Sequence, residues 1–301
     1  MQTIESLKSK MESARDLQSV VRTMKALAAV SIRQYEKAVE SLEDYNRTVE
    51  LGLQIVLEHG PWGLAVPSGY QGGAAGIVAF GSDQGMCGQI NTRMATHVLE
   101  TVKRLEETET RPAVLAVGHR LSGQLEDSGV EIEGIVGLPG SVDGVTSKVQ
   151  DILFKVEEWR FRRGVGRVML LHHKPLSGSS YRAHTVLVFP VDPEWLRGLE
   201  RKKWESRTLP MFTMEWRPLF ASLVRQYIFV SIYRAFVESL ASENAARLSS
   251  MQAAEKNIDE RLDELSDLFH RRRQASITSE LLDIVAGFEA LTGGGSAGTS
   301  R

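Results

Sequence analysis

Residues 3–57 read TIESLKSKMESARDLQSVVRTMKALAAVSIRQYEKAVESLEDYNRTVELGLQIVL, and this stretch decides the fold. Apolar or small residues occupy every seventh position without a miss, at Leu7, Ala14, Val21, Ala28, Tyr35, Leu42, Val49 and Val56. A companion heptad series begins at Ile4 and is polar at three of its eight positions, Gln18, Lys25 and Asn46. The period and length predict a coiled-coil helix rather than a strand. The polar interruptions favour a seam that is partly exposed or faces a partner, because buried polar groups need partners.

A second helical stretch covers roughly residues 213–290, at the other end of the chain. From Leu223 to Phe269 its apolar positions alternate three and four residues apart, with polar interruptions of the same kind. Two such stripes in one chain predict that the terminal helices pack on each other as a long antiparallel coiled coil. The predicted domains are an N-terminal helix (1–58), an inserted domain (74–208), a C-terminal helix (209–291) and a disordered Gly/Ser-rich tail (292–301).

The inserted domain carries alternating strand and helix signals. We expect five strands, at Ala75–Phe80, Pro112–Val117, Val130–Val136, Arg167–His172 and Arg182–Phe189. We expect helices at Ile90–Glu107, His119–Asp127 and Val142–Arg163, and a connector into the second long helix at 191–212. This order is typical of a Rossmann-like α/β domain with a largely parallel sheet. The last two strands have no helix between them, so they are expected to form an antiparallel hairpin. The fold class is therefore α/β, with the Rossmann-like domain inserted between the coiled-coil helices.

Composition excludes several classes of protein. The 36 basic and 38 acidic residues nearly cancel, which argues against nucleic acid as a partner. With Cys87 as the single cysteine, no disulfide can form within the chain. No apolar run approaches the ~20 residues that span a bilayer, so we expect no direct membrane span.

The sequence offers no convincing active site. The loop Gly81–Gln89 follows a strand and precedes a helix, where a phosphate-binding loop would lie, yet its spacing matches neither the dinucleotide fingerprint nor a Walker A loop. A structural glycine turn is the favoured interpretation. Cys87 lacks a recognisable catalytic partner and is interpreted as a small buried hydrophobe. The seven histidines are scattered, and neither a metal site nor a cofactor site is expected.

One polar cluster near the end of the second helix is a candidate for partner contact. It follows the basic run Arg271–Arg273, and Gln274 and Thr278 share a helix face at spacing i, i+4. Such a cluster could hydrogen-bond a surrounding protein. The alternative is a solvated helix face.

Four blocks of the sequence resemble the gamma subunits of F-type ATP synthases, in the same order and over nearly the whole chain. They are residues 7–29, residues 82–91, residues 233–257 and residues 273–287. The most specific blocks are Ala241-Ser-Glu…Ala-Ala-Arg247 and Arg273-Gln-Ala-Ser-Ile-Thr278. The chain departs from the usual pattern at 20–23, at 28–31 and at His270, and in this it is similar to a divergent branch of alternate bacterial ATP synthases. For that branch sodium is a candidate coupling ion beside the proton.

The resemblance implies a function, partners and contact residues. It implies a non-catalytic rotor shaft that couples ion flow to ATP synthesis or hydrolysis. The implied partners are the alpha and beta subunits, the epsilon subunit and the membrane ring of c subunits, at the cytoplasmic face of the bacterial inner membrane. The implied contacts with the alpha/beta ring are Met24, Arg247, Arg273, Gln274 and Thr278. Two alternatives remain on the residues alone: a stand-alone coiled-coil adaptor with an α/β binding domain, and a Rossmann-type enzyme that uses the loop Gly81–Gly88.

Overall fold

A computed structural model describes residues 3–60, 74–107, 111–176, 180–204, 207–208 and 210–293. Two long helices begin and end the described chain, α1 at Ile4–Glu58 and α6 at Trp216–Gly293. Of the eight heptad positions predicted for the first helix, seven are buried, and Ala14 is half-buried. The sequence period therefore identified the packed face of α1. From residue 294 onward, the predicted disordered tail lies outside the described residues.

Between the long helices the chain alternates strands and helices. The strands are β1 (Ala75–Phe80), β2 (Ala113–Val117), β3 (Gly134–Val136), β4 (Arg167–Pro175) and β5 (Tyr181–Phe189). The helices are α2 (Ile90–Glu106), α3 (His119–Asp127), α4 (Val145–Arg163) and α5 (Pro193–Arg201), and a 3-10 turn at Val142–Gly144 precedes α4. The predicted strand 130–136 is shorter in the structure and begins at Gly134.

The five strands form one sheet in the order β3-β2-β1-β4-β5. Neighbouring strands are parallel except for β4 and β5, which pair antiparallel as the missing intervening helix predicted. Strands β1, β2 and β4 are almost entirely buried, as strands covered on both faces must be. The fold class, two terminal helices with an inserted Rossmann-like domain, is confirmed.

Each face of the sheet supports its own core. On one face, α4 and α6 pack against β1 and β4, with Trp159, Phe80 and Phe236 fully buried. On the other face, α2 and α3 cover the alternate residues of the same strands, and Met94 of α2 and Leu121 of α3 are buried together with Ile77 of β1. Burying one such side chain stabilises the fold by about 1.5–3 kcal/mol, so these two layers hold the loops at the sheet edge in place.

The chain divides into two compact units, one of residues 1–26 with 251–301 and the other of residues 27–250. In the first unit, Gln18 hydrogen-bonds Asp259 and Arg22 pairs with Glu255, so α1 and α6 run antiparallel there. In the second unit, Tyr45 Oη donates to Gln226 Oε1 at 3.0 Å, and Trp216 Nε1 donates to the carbonyl of Val56 at 2.6 Å. The helices are therefore antiparallel in this unit too. The predicted domain boundaries stay a prediction.

The connector predicted at 191–212 contains a helix, α5, in its first half. Asp192 caps this helix by accepting a hydrogen bond from the Glu194 amide at 2.8 Å, and Pro193 occupies the first turn. Both are ordinary helix-start signals. Leu196 and Leu199 bury one side of α5. No helix among the described residues is long and apolar enough to cross a membrane.

Candidate functional site

Ion pairs join α1 and α6 in the unit of residues 1–26 and 251–301. Arg22 Nε lies 2.9 Å from Glu255 Oε1, and Lys25 Nζ binds the second carboxylate oxygen of the same residue. The hydrogen bonds from Lys25 and Arg22 lower the pKa of Glu255. Lys25 is one of the polar interruptions in the companion series, so this interruption has a partner on α6 within the chain.

Four of the five predicted contact residues lie in this unit. Met24 is half-buried, whereas Arg273, Gln274 and Thr278 are exposed. Thr278 Oγ1 donates back to the Gln274 backbone carbonyl at 2.9 Å, and the Gln274 side-chain amide makes no hydrogen bond with the described residues. The structure thus brings Gln274 and Thr278 together on one exposed helix face, as their spacing predicted.

The fifth predicted contact residue, Arg247, lies in the unit 27–250 and is largely buried. Its Nη2 donates to Glu243 Oε1 at 2.6 Å, and the two side chains are 11% and 6% exposed. Burial raises the pKa of the Glu243 carboxyl, although Arg247 works to lower it. Arg247 is therefore held by its own helix, which the sequence interpretation did not anticipate. The i, i+4 spacing of Glu243 and Arg247 was a visible signal of this pair.

The loop Gly81–Gln89 is closed by its own hydrogen bonds. Asn91 Oδ1 accepts from the Ser82 amide at 2.9 Å, and Asn91 Nδ2 donates to Ser82 Oγ at 2.7 Å. Asp83 accepts from the amides of His119 and Leu138, both at 2.8 Å, and so ties the ends of three strands together. These contacts use the polar groups that a phosphate would need, which favours the structural interpretation of the loop.

Close packing also restricts this loop. A Cβ on Gly118, whose φ is +109°, would lie 2.7 Å from the Ser82 carbonyl oxygen. A Cβ on Gly88, whose φ is +63°, would lie 3.2 Å from Ser250 Oγ of α6. Cys87 is buried against Ile90 and Ala246, and burial raises the pKa of its thiol. A buried thiol with a raised pKa is a poor nucleophile.

Two adjacent histidines of β4 face opposite sides of the sheet, as strand alternation predicted. His172 Nε2 lies 2.8 Å from Glu238 Oε2 of α6. Burial works to raise the pKa of Glu238, but the His172 contact and nearby cations outweigh it, so that pKa lies below the usual value. Burial, with a smaller contribution from His172, lowers the pKa of His173 to about 3, and neither of its ring nitrogens has a hydrogen-bond partner among the described residues. The sequence analysis predicted neither the contact of His172 with Glu238 nor the burial of His173.

The unit 27–250 also contains a cavity with few groups that could carry out chemistry. A cavity of about 560 Å³ in the unit 27–250 lies between α1, α4 and α6 and is lined in part by Tyr45, Phe154, Arg225 and Phe229. Arg225 is paired with Glu157 at 2.6 Å. Across the described part of the chain, no group of three or more His, Cys, Asp or Glu side chains could hold a metal ion.

Comparison with known proteins gives one consistent result. The family model described as ATP synthase matches residues 3–291. The ATP synthase gamma chain of Nautilia profundicola is 22% identical over 301 residues, covering 97% of this chain and 99% of the relative. That of Glaesserella parasuis is 26% identical over 289 residues, covering 95% and 98%.

Solved structures share the fold. A chain of the Euglena gracilis mitochondrial ATP synthase, in a structure of its OSCP/F1/c-ring, has a TM-score of 0.66 at 18% identity and covers 99% of this chain and 97% of its own. A chain in a structure of the rotor of the same enzyme has a TM-score of 0.59 at 14% identity, covering 91% and 98%. At these identities the likeness concerns the fold.

Proposed function

Because the chain belongs to the ATP synthase family, as a non-catalytic gamma chain, we propose that it is the rotor shaft of the F1 central stalk. In this role it couples ion flow through the membrane sector to ATP synthesis or hydrolysis in the alpha/beta ring. The catalytic chemistry lies on the ring. The loop at Gly81–Gln89 agrees with this division of labour, because Ser82 and Asp83 are already hydrogen-bonded within the chain.

The observation that carries the proposal is the exposed apolar surface near the end of α6. Six large apolar side chains within twelve residues are 48–68% exposed: Ile277, Leu281, Leu282, Ile284, Val285 and Phe288. Exposed apolar clusters of this density mark surfaces that a partner covers. A surrounding ring of subunits would cover all sides of a helix end, which suits side chains distributed around the helix.

The mechanism requires only that the chain contact three chemically identical catalytic subunits differently. An asymmetric shaft biases the open and closed states of each subunit by its differential contact energy. When the shaft turns, that bias passes from one catalytic site to the next. The antiparallel helix pairing in each unit would supply stiffness for this task.

Met24, Arg273, Gln274, Thr278 and Arg247 are the proposed contacts with the alpha/beta ring. The exposure of Arg273, Gln274 and Thr278 supports this role, because their polar groups can hydrogen-bond the surrounding subunits. Arg247 would reach a partner only through its exposed 11%, because Glu243 holds the guanidinium.

The remaining assignments follow from the family. The proposed partners are the alpha and beta subunits, the epsilon subunit and the c ring, and the proposed location is the cytoplasmic face of the bacterial inner membrane. The proposed domains are the helices 1–58 and 209–291 around the inserted domain 74–208. The departures at 20–23, 28–31 and His270 support a place in the divergent bacterial branch, with sodium or protons as the coupling ion.

The test is direct observation of rotation. The chain is coexpressed with the alpha and beta subunits of its own organism, the ring is immobilised, and a bead is attached through Ser128→Cys, an exposed position on the α/β domain. ATP should drive rotation of the bead in one direction. A stable alpha/beta complex that excludes this chain, or a bound chain that never turns during hydrolysis, would instead support the adaptor hypothesis.

A further inference from the structure

Two cations face each other across the β4–β5 hairpin. Lys174 of β4 is directly opposite Arg182 of β5, and the next pair on the same face of the sheet is His172 and His184. Residues directly opposite in an antiparallel pair have Cβ atoms about 4.5–5.5 Å apart, and like charges at this distance destabilise the pairing. The hairpin therefore carries an electrostatic cost.

No direct contact among the described residues offsets this cost. Lys174 and Arg182 are exposed, and neither makes a hydrogen bond or ion pair with any described residue. The acid acting on this face is Glu238 of α6, whose Oε2 lies 2.8 Å from His172 Nε2 and whose pKa is lowered by His172 and, to a smaller extent, by Lys174 and Arg234. Arg234, which also acts on Glu238, has a buried Nε without a hydrogen-bond partner in the described part of the chain. Cations thus outnumber acids on this face.

We propose that this surface, the basic hairpin face of Lys174, Arg182, His184 and Arg234, docks an acidic segment of a partner subunit. The proposal rests on the function proposed above, because it assumes a multisubunit complex, and it assigns one face of the α/β domain to that complex. Carboxylates placed between Lys174 and Arg182 would convert the repulsion into two charge-assisted contacts.

The extent of the surface favours an acidic protein segment over a nucleic acid. Polyanion binding needs a stripe of many cations in a basic domain. Here the chain carries 36 basic and 38 acidic residues, and the hairpin offers two exposed cations at strand-pair spacing. Two carboxylates from successive turns or strands match that geometry.

The same face gives docking a pH dependence. Burial, followed by the charges of His172, Lys174 and Arg182, lowers the pKa of His184, while Glu238 works to raise it. Incoming carboxylates would raise the pKa of His184 toward or above its ordinary value. Because the bound state then holds the proton more tightly, docking takes up a proton and strengthens as the pH falls.

The first test is a zero-length crosslink in the assembled complex. A water-soluble carbodiimide joins a lysine amine to a carboxylate in direct contact, and peptide mass spectrometry identifies both residues. We expect Lys174 to be linked to an Asp or Glu of another subunit. Lys174→Arg should abolish this link because it keeps the charge but removes the amine, whereas Lys103→Arg, at an exposed site on α2, should leave it intact. Links from Lys174 only to this chain, or none, would overturn the proposal.

The second test separates docking from a structural role. Arg182→Glu replaces the repulsion with an attractive cross-strand pair, so the free chain should melt about 1–3 °C higher. The same variant should weaken docking, and retention of the crosslinked subunit should fall roughly 10-fold with a smaller dependence on salt. Unchanged retention would overturn the proposal. If the Arg182→Glu complex retains every subunit and turns over ATP, this inference alone fails. If the unmodified chain does not join alpha and beta subunits, the proposed function fails as well.

Discussion

Arg247 Nη2 lies 2.6 Å from Glu243 Oε1, and this ion pair is almost completely buried within the unit 27–250. Arg247→Ala would leave the Glu243 carboxylate buried without its cation, at a cost of about 3–5 kcal/mol of unfolding free energy. Denaturant unfolding of the full chain measures this. The double variant Arg247→Ala, Glu243→Gln removes the stranded charge and should recover more than half of the loss. Equal destabilisation of the single and double variants would show that the loss comes from packing.

His173 should make the chain sensitive to acid. Its pKa is about 3 in the folded chain against 6.5 for the ordinary side chain. A histidine whose folded pKa is depressed contributes stability above pH 6.5, and this contribution is lost as the pH falls toward 3. Between pH 7 and pH 5 the loss should be about 2 kcal/mol.

His173→Leu supplies the comparison for that prediction. The variant retains the other histidines with lowered pKa values, His97 and His184, so the difference between the two pH profiles isolates His173. We expect a flatter profile for the variant in chemical denaturation. Parallel profiles would mean that His173 is protonated normally in the folded chain.

Gly118 should not tolerate a side chain. Its φ of +109° and the 2.7 Å approach of a Cβ to the Ser82 carbonyl oxygen predict that Gly118→Ala costs at least about 2 kcal/mol. Gly123, within α3, has open space around its Cβ position, and Gly123→Ala should stabilise the chain by roughly 0.5–1 kcal/mol. Thermal melts of both variants test this prediction. Equal destabilisation by the two substitutions would contradict it.

Gln274 and Thr278 should matter in the complex and not in the free chain. Because both are exposed, their double substitution to Ala should leave the melting temperature nearly unchanged. Losing two neutral hydrogen bonds to a partner should weaken assembly or coupled turnover by about 1–3 kcal/mol. Gln252→Ala combined with Thr96→Ala is the matched control, because both positions are exposed and Thr96, like Thr278, donates to the carbonyl four residues before it. Normal assembly and turnover of the test variant would remove these residues from the contact surface.

Cys87 should show the opposite behaviour. Its side chain is 1% exposed and packs on Ile90 and Ala246. Cys87→Ser places a hydroxyl in this apolar contact and should cost about 1–2 kcal/mol of stability, while ATP turnover of the assembled complex stays unchanged at temperatures where the chain is folded. Lost coupled turnover at unchanged stability would assign Cys87 a functional role.

The sequence by itself determined the elements whose periodicity is local. The heptad positions from Leu7 to Val56 predicted the packed face of α1, because helical side chains repeat every 3.6 residues wherever the helix lies. Alternating strand and helix signals predicted the inserted domain and its antiparallel last pair. The helix-start signals at Asp192 and Pro193 were equally local, yet the sequence analysis did not identify α5 within the connector 191–212.

Only the tertiary structure decided the electrostatic environments. His172 meets Glu238 across 66 residues of chain, and Lys174 lies opposite Arg182 only in the observed register of β4 and β5. Burial, which raises the pKa of Glu243 and lowers that of His173, depends on elements packed from both sides. Charge interactions and desolvation depend on distances in space. Sequence spacing specifies such distances within one helix or strand but not between elements that the fold brings together.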